Sequence, residues 1–250
     1  MSSRTVTAPS NATAARVPSG VPAALAARYD LTEHSVSLPS GDLRLLGVRD
    51  TNALVDALDP ASFALDERLP YWADLWASSV ALARWCESPA GVRPGEEVLE
   101  LGCGLGLAGI AAARAGGRVT LTDYEEDALL FARANLERNL QPGLPAPRVL
   151  HFDWRSNSAP ARASLVLAAD VAYERRMLLP LVETITRCLL PGGRAAVAEP
   201  GRSVGGTFFA IAEEQGYAVT RSSAVVPWRG REQEVILALL TPPEGPRERE

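Results

Sequence analysis

The sequence predicts an α/β fold in which an open, mostly parallel sheet carries helices on both faces. Short apolar segments alternate with amphipathic segments along the chain, which is the order of repeated strand–helix units. Three glycines at alternate positions follow the first strand of these units, where a strand turns sharply into a helix. The last two strands are separated only by a short loop. They must therefore pair as a hairpin, and one of them runs antiparallel to the rest of the sheet.

Seven strands and five longer helices are expected, with a β-hairpin at 35–47 before them. The Pro-Gly-Gly run at 191–193 is expected to end a helix and lead into a strand. The expected strands are 97–101, 118–122, 147–151, 164–169, 194–198, 217–226 and 233–240. The expected helices are 74–88, 106–115, 125–139, 177–189 and 204–215.

Composition limits the classes of function. The chain has 250 residues, of which 47% are hydrophobic and 22% charged, as in an ordinary globular domain. A formal charge of -5 does not favour a nucleic-acid partner. No stretch approaches about 18 uninterrupted apolar residues, so we expect no membrane span. We expect a monomer.

The cysteines and histidines argue against a metal site. Three cysteines, Cys86, Cys103 and Cys188, are odd in number and widely spaced, and only His34 and His151 could join them as ligands. This pattern predicts neither a disulfide framework nor a zinc site. A reducing, cytoplasmic compartment is the expectation.

Four segments are expected along the chain. They are a flexible N-terminal tail at 1–30, a hairpin with helices packed on the core at 31–90, the catalytic core at 91–240, and a disordered tail at 241–250. The first segment is poor in acids, as an organelle-targeting peptide would be. A simple tail is the preferred interpretation, because Pro9, Pro18 and Pro22 interrupt any long amphipathic helix.

The glycine loop predicts a nucleotide-type ligand. Gly102, Gly104 and Gly106 let the backbone approach a ligand, and the helix after them offers free N–H groups at its first turn. The loop matches both the dinucleotide pattern G-x-G-x-x-G and the pattern E-x-G-x-G-x-G that begins at Glu100. The carboxylate of Glu100 would repel a pyrophosphate, whereas S-adenosylmethionine carries an ammonium and a sulfonium. We therefore prefer S-adenosylmethionine to NAD.

Acidic residues also follow the next strands. Asp123 ends the second strand, where it could accept hydrogen bonds from a ribose diol and also cap the next helix. Asp153 and Trp154 follow the third strand and are expected to meet the exocyclic amine and the ring of adenine. Asp170 follows the fourth strand. Because the carboxyl ends of parallel strands form the ligand crevice of open α/β sheets, these acids predict a cationic ligand. Trp76 is a further candidate for cofactor contact, with core packing as the alternative.

Three segments together resemble a known family. They are PYWADLWASSVALARWCE (70–87), VLELGCGLGLAGIAAA with TDYEEDAL, and AADVAYE (168–174). They are similar to the seven-β-strand, class I S-adenosylmethionine-dependent methyltransferases, and more narrowly to the family-16 protein-lysine methyltransferases, over about 68–240. The resemblance implies a Rossmann-like seven-stranded sheet and a D-x-x-Y motif, Asp170 to Tyr173, beside the transferred methyl group. The segment AEPGRSVGG departs from the family pattern, although its Arg202 stands where relatives often carry an arginine.

The resulting hypothesis is transfer of a methyl group to a lysine side chain of a protein substrate. Asp170 would hold the incoming amine and Tyr173 would wall its slot, as catalytic residues. A small-molecule N- or O-methyltransferase on the same core is the alternative, because the cofactor motifs are common to both. An inert cofactor-binding module is disfavoured by Asp170 and Tyr173, and an NAD-dependent oxidoreductase by Glu100 and the terminal hairpin.

Overall fold

The computed structural model describes residues 22–58 and 69–243. Its N-terminal part is a small module on the side of the main sheet. Helix α1 leads into an antiparallel hairpin of strands β1 and β2, followed by helix α2. Their bounds are Ala23–Arg28 (α1), Leu31–Val36 (β1), Leu43–Val48 (β2) and Thr51–Asp56 (α2). The hairpin expected at 35–47 is present, with its first strand beginning four residues earlier than expected.

The prediction of a flexible tail at 1–30 is wrong for residues 22–30. Residues 1–21 lie outside the described part of the chain. Leu25 of α1 is buried, and Arg28 forms an ion pair with Asp127 at 2.7 Å. The hydroxyl of Tyr29 donates a hydrogen bond to the same carboxylate at 2.5 Å. The ring of Tyr29 packs edge-on against Phe131 at a centroid distance of 5.4 Å. Local composition favoured a tail here, but burial of these apolar side chains against the core holds the segment in place.

Seven strands form the central sheet in the order β5-β4-β3-β6-β7-β9-β8. Strands β3 to β7 pair in parallel, while β9 lies between β7 and β8 and is antiparallel to both. This confirms the predicted fold class. The strands are Glu97–Leu101 (β3), Arg118–Asp123 (β4), Arg148–His151 (β5), Ala163–Ala169 (β6), Leu189–Glu199 (β7), Ala218–Trp228 (β8) and Arg231–Thr241 (β9).

Helices cover both faces of the sheet, as two separate apolar clusters show. The alternation of side chains along a strand divides β6 between them. Leu165 and Leu167 belong to the cluster under α3, α4 and α5, while Val166 and Ala168 belong to the one under α6 and α7. No helix in the described part of the chain has the length and apolar character that crossing a bilayer requires. The helices are Ala77–Cys86 (α3), Leu107–Arg114 (α4), Glu126–Asn139 (α5), Leu178–Cys188 (α6) and Ser203–Glu214 (α7).

The Pro-Gly-Gly run lies inside strand β7 and does not precede it. The pairing with β6 passes from Ala163 opposite Leu189 to Leu165 opposite Arg194, so the run bulges out of the ladder. Gly192 takes a φ of 71°, which glycine adopts without a steric cost. The strand therefore begins five residues earlier than the expected 194, and the helix before it ends at Cys188.

One buried amide joins the N-terminal module to the sheet domain. Asn135 of α5 accepts a hydrogen bond from the N–H of Leu46 at 2.6 Å and donates to the carbonyl of Leu46 at 3.0 Å. It also donates to the carbonyl of Leu105, in the glycine loop, at 2.9 Å. Asn135 is fully buried, so water does not compete for these three backbone groups.

We expect Asn135→Ala to lower the free energy of unfolding by roughly 2–4 kcal/mol, because it leaves three buried backbone groups without partners. Urea denaturation measures this change. Asn139→Ala is the matched control. Asn139 lies one turn further along the same helix and makes the same pair of bonds to Arg44, but in a more exposed setting. A loss at residue 135 no larger than that at residue 139 would contradict the role of Asn135.

Candidate functional site

A cleft with about 710 Å³ of empty space opens at the carboxyl ends of β3, β4 and β6. It is closed on one side by the 3-10 turn Tyr71–Ala73 and the start of α3. Most of the predicted site residues line this cleft, and Gly106 and Asp153 do not. The predicted residues that line it are Trp76, Glu100, Gly102, Gly104, Asp123, Trp154, Asp170 and Tyr173.

The glycine loop forms one wall of the cleft. Gly102 and Gly104 have φ values of 66° and 50°, in the left-handed region. A Cβ atom added at Gly102 would lie 2.7 Å from Cγ1 of Val171, and one at Gly104 would lie 3.2 Å from the carbonyl oxygen of Trp72. A side chain at Gly102 would collide with the wall of the cleft, and one at Gly104 would be tightly packed in a strained backbone conformation.

Gly106 is required for a different reason. It precedes the first residue of α4 with a φ of 84°, and a Cβ atom there would lie 3.3 Å from Cβ of Ala132 and from Leu121. The structure therefore places Gly106 against helix α5 and strand β4, outside the cleft lining. Its small size serves the packing of the helix start.

Glu100 is a buried acid at the end of β3. Its Oε2 accepts a hydrogen bond from the N–H of Gly109 at 2.9 Å, and a Cβ atom at residue 109 would lie 2.4 Å from that oxygen. Burial raises the pKa of Glu100 to about 8. The charge of Asp123 adds to this shift, and the Gly109 hydrogen bond opposes it. Within the described part of the chain, no arginine forms an ion pair with Glu100. A cation placed in the cleft would favour its ionised form.

Asp123 ties the glycine loop to the next helix. Its Oδ2 accepts from the N–H of Gly104 at 2.9 Å, and its Oδ1 accepts from the N–H of Glu125 at 3.0 Å. Burial raises the pKa of Asp123 to about 6, against the effect of these hydrogen bonds. Each carboxylate oxygen has further lone pairs, so the same group can also accept from hydroxyls in the cleft.

Trp154 forms part of the floor of the cleft. It is 5% exposed, and its indole N–H has no hydrogen-bond partner among the described residues. Its ring lies 3.4 Å from the position that a Cβ atom at Gly102 would take. The part of the ring next to Gly102 is its benzo edge, so Trp154 offers apolar ring surface at this wall.

Asp153 lies beside a smaller depression next to the main cleft. Its carboxylate forms an ion pair with Arg155 at 2.6 Å. Tyr124, Trp154 and Tyr173 line both the depression and the cleft. The sequence-based role of Asp153 at an exocyclic amine therefore stays a prediction, because its carboxylate already has a partner.

Three aromatic side chains form an aromatic slot next to the cleft: Tyr71, Trp76 and Tyr173. The rings of Tyr71 and Tyr173 meet edge-on at a centroid distance of 5.0 Å, and those of Tyr71 and Trp76 at 6.1 Å. The indole N–H of Trp76 donates to the carbonyl of Tyr71 at 2.9 Å, which fixes the turn between them. Burial raises the pKa of Tyr173, so its hydroxyl remains neutral.

Asp170 lies where the cleft and the aromatic slot meet. It is 9% exposed and has a φ of 58°, a left-handed conformation that is unusual for a residue with a side chain. Its Oδ2 accepts a hydrogen bond from the hydroxyl of Ser78 at 3.2 Å, and its Oδ1 forms an ion pair with Arg202. Burial raises the pKa of Asp170, and the charge of Arg202 opposes that shift.

Three parts of this site were not predicted from the sequence: Tyr71, Ser78 and Arg202. Tyr71 and Ser78 come from the turn and the helix before the sheet, where no strand end marks a ligand position. Arg202 could have been predicted from the sequence. It follows the end of β7, and the carboxyl ends of parallel strands meet at one edge of the sheet.

Comparisons with known proteins show which family the chain resembles. The family model described as "Lysine methyltransferase" matches residues 71–214. Mouse protein N-lysine methyltransferase METTL21A is 37% identical over 115 residues, which is 44% of this chain and 52% of that protein. Mouse EEF1A lysine methyltransferase 3 is 35% identical over 146 residues, which is 57% of this chain and 62% of that protein. The chain thus spans only about half to three fifths of the length of these relatives.

Solved structures show the fold. The N-methyltransferase NodS from Bradyrhizobium japonicum, in complex with S-adenosyl-L-homocysteine, has a TM-score of 0.54 and 18% identity. That match covers 78% of this chain and 98% of the other. Magnesium protoporphyrin IX methyltransferase from Synechocystis, with bound S-adenosylmethionine, has a TM-score of 0.53 and 16% identity, over 77% and 98%. Both share the fold of this chain. Because the family model matches more than half of its residues, the chain belongs to the lysine methyltransferase family.

Proposed function

We propose that this protein is an S-adenosylmethionine-dependent methyltransferase that methylates the side-chain amine of lysine in a protein substrate. The observation that carries the proposal is the meeting of two sites at Asp170. A glycine-walled cleft with buried acids lies on one side of this residue, and an aromatic slot open to solvent lies on the other. Membership of the lysine methyltransferase family supports the same reaction.

The cleft residues fit S-adenosylmethionine. Glu100 and Asp123 are buried carboxyls that favour a cation and hydroxyl donors, respectively, and Trp154 offers ring surface beside the glycine wall. Gly102 and Gly104 form this part of the wall with backbone atoms alone. When bound, the cofactor supplies a methyl group already joined to a good leaving group. The protein then needs neither a metal nor a nucleophile of its own for the transfer.

The aromatic slot prepares the acceptor. A lysine amine has an ordinary pKa of about 10.4, and only its neutral form carries the lone pair that accepts a methyl group. Tyr71, Trp76 and Tyr173 surround the slot with ring surfaces, which disfavour a charged amine by desolvation. Asp170 accepts a hydrogen bond from the amine and so turns its lone pair towards the cleft. This alignment is the main contribution of the protein to the rate.

A protein is the preferred acceptor because the slot is wide and open on the outside. Its volume of about 1010 Å³ merges with solvent, and exposed Tyr71 stands at its rim. Mouse and zebrafish relatives are named as methyltransferases of protein lysines. A small-molecule N- or O-methyltransferase remains the second candidate, since the cleft itself is common to both classes.

A cytoplasmic monomer is the proposed state of the protein. Cys86, Cys103 and Cys188 are free and buried, as is typical of proteins kept in a reducing compartment. Large apolar side chains that are exposed in the described residues are scattered singly: Val55, Tyr71, Leu130, Leu179 and Val225. Such scattering does not form the contiguous patch that a stable interface uses.

Incubation with methyl-labelled S-adenosylmethionine and a cell extract tests the reaction. We expect discrete labelled protein bands whose label resides on lysine. The enzyme cannot add to the lysine signal, because all 25 of its basic residues are arginine. Label confined to the low-molecular-weight fraction would favour the small-molecule alternative.

Asp170→Asn should reduce labelling by about a hundredfold or more. The amide is a weaker hydrogen-bond acceptor than the carboxylate, so it orients the amine less well. Calorimetry should show that cofactor affinity stays within a few fold of the wild type. Asp30→Asn is the matched control, since Asp30 is also paired with an arginine, Arg49, but on the exposed surface. An equal loss of cofactor binding in Asp170→Asn would contradict a role in the acceptor slot.

Cofactor affinity should depend on pH through Glu100. Because its pKa in the free protein is about 8, Glu100 is largely neutral below that pH, while a cationic ligand prefers the ionised form. Affinity should therefore rise as the pH increases towards 8 and level off above it. The limiting slope is about tenfold per pH unit.

Glu100→Gln isolates this effect in calorimetric titrations of S-adenosylmethionine. Glutamine can still accept from the N–H of Gly109, and the ligand amine is the same in both titrations. We expect weaker binding at pH 8 and a shallower pH dependence in the variant. Parallel curves for the two proteins would show that Glu100 does not sense the charge of the ligand.

A further inference from the structure

The carboxylate at the centre of the site is already paired within the protein. Asp170 Oδ1 meets the guanidinium of Arg202, and Oδ2 accepts from Ser78. The two partners come from different parts of the fold: Arg202 is the N-cap residue just before α7, and Ser78 lies in the first turn of α3. Since each carboxylate oxygen can accept more than one hydrogen bond, Asp170 can still accept another N–H.

Glu199 holds the backbone of Arg202 in this position. Oε2 of buried Glu199 accepts from the N–H of Gly201 at 2.9 Å and from the N–H of Arg202 at 3.0 Å. A Cβ atom at Gly205 would lie 2.2 Å from the same oxygen, so the carboxyl of Glu199 packs against the first turn of α7. The guanidinium also lies 5.8 Å from the centroid of the Trp76 ring. Arg202 is therefore a built part of the slot wall, although its side chain is 38% exposed.

Among the described residues, the other charges near the slot are paired or lie further back. Glu174, on the rim, pairs with Arg176 at 2.7 Å. Asp74, from the turn before α3, pairs with Arg229 of the β8–β9 hairpin. Glu199 lies behind Arg202, Glu100 and Asp123 face the cofactor end, and Tyr71, Tyr124 and Tyr173 are the phenols around the cleft. The Asp170–Arg202 pair thus determines the charge that an incoming amine meets.

A free carboxylate at this point would oppose the reaction. An unpaired buried aspartate stabilises the ammonium form of a neighbouring lysine, and the ammonium has no lone pair to accept a methyl group. A carboxylate neutralised by a fixed guanidinium can still accept a hydrogen bond from the amine, with much less preference for its charged form. A nearby cation also lowers the affinity of an amine for its proton.

We infer that Arg202 is a positioning residue that neutralises Asp170, so that the slot selects the uncharged form of the acceptor lysine. The proton of the ammonium is lost to solvent before the amine enters the slot. This inference rests on the proposed function and adds a residue to it.

The test compares two probes on the protein loaded with S-adenosylhomocysteine, so that no transfer occurs. One probe is Nα-acetyl-L-lysine methylamide, and the other is its neutral counterpart with a terminal hydroxyl in place of the amine. Dissociation constants are measured by ligand-observed NMR between about pH 8 and about pH 9.5, below the ordinary lysine pKa. Ionisation of Glu100 affects the binding of both probes. The ratio of their two dissociation constants therefore reports only the protonation of the lysine probe.

For the wild type we expect the lysine probe to bind about tenfold more tightly per pH unit, relative to the alcohol, because only the neutral amine binds. In Arg202→Gln we expect this slope to fall below about threefold per unit, with tighter binding of the lysine probe at the lower pH. Arg202→Lys, which keeps the charge, should restore the steep slope. Arg221→Gln is the control, because Arg221 pairs with Glu213 on the exposed outer surface.

An unchanged slope in Arg202→Gln would overturn the inference while leaving the proposed function intact. Failure of the loaded wild type to bind the lysine probe would overturn it as well. The same titrations begin by measuring the binding of S-adenosylhomocysteine itself. A protein that does not bind it would refute the proposed function, and this inference with it.

Discussion

Three carboxyl groups lie at the ends of adjacent strands and are almost wholly removed from water. They belong to Glu100, Asp123 and Asp170. Buried carboxylates are costly unless N–H donors or cations compensate them. At Glu100 and Asp123 the compensation comes from backbone N–H groups, and it is incomplete, so their pKa values rise to about 8 and about 6. At Asp170 it comes from a guanidinium. The two ends of the cleft therefore differ in charge. The end with Glu100 and Asp123 favours a cationic ligand, whereas the end with Asp170 already contains the guanidinium of Arg202.

Backbone geometry creates this division. Gly102 and Gly104 turn the chain sharply after β3, and the left-handed conformation of Asp170 turns it after β6. Such a conformation costs energy for a residue with a side chain, and it persists where surrounding contacts hold it. Here the N–H of Asp170 donates to the carbonyl of Ala198 at 2.8 Å, and Ser78 and Arg202 hold the carboxylate. The strain is located at the point where the two halves of the site meet.

The two halves also come from different parts of the chain. The cleft is built by the sheet and its loops, which are common to the class I methyltransferase fold. The aromatic slot depends on the segment before the sheet, where the ring of Trp72 lies between Tyr29 and Phe131 at centroid distances of 5.9 Å and 5.3 Å. This cluster connects the N-terminal helix to the turn that carries Tyr71. The proposed acceptor slot thus depends on elements outside the central sheet.

The sequence by itself determined the strand–helix order, the terminal hairpin and most of the strand-end residues that line the cleft, Asp153 excepted, since hydrophobic periodicity and glycine placement are local properties. It also determined Asp170 as the central acid. Only the tertiary structure decided that Arg202, 32 residues later, neutralises this acid, and that Gly106 serves helix packing. It likewise anchored residues 22–30, which composition alone assigned to a tail. The physical reason is that ion pairing and burial depend on which distant groups share a water-free space, and local sequence patterns do not encode that distance.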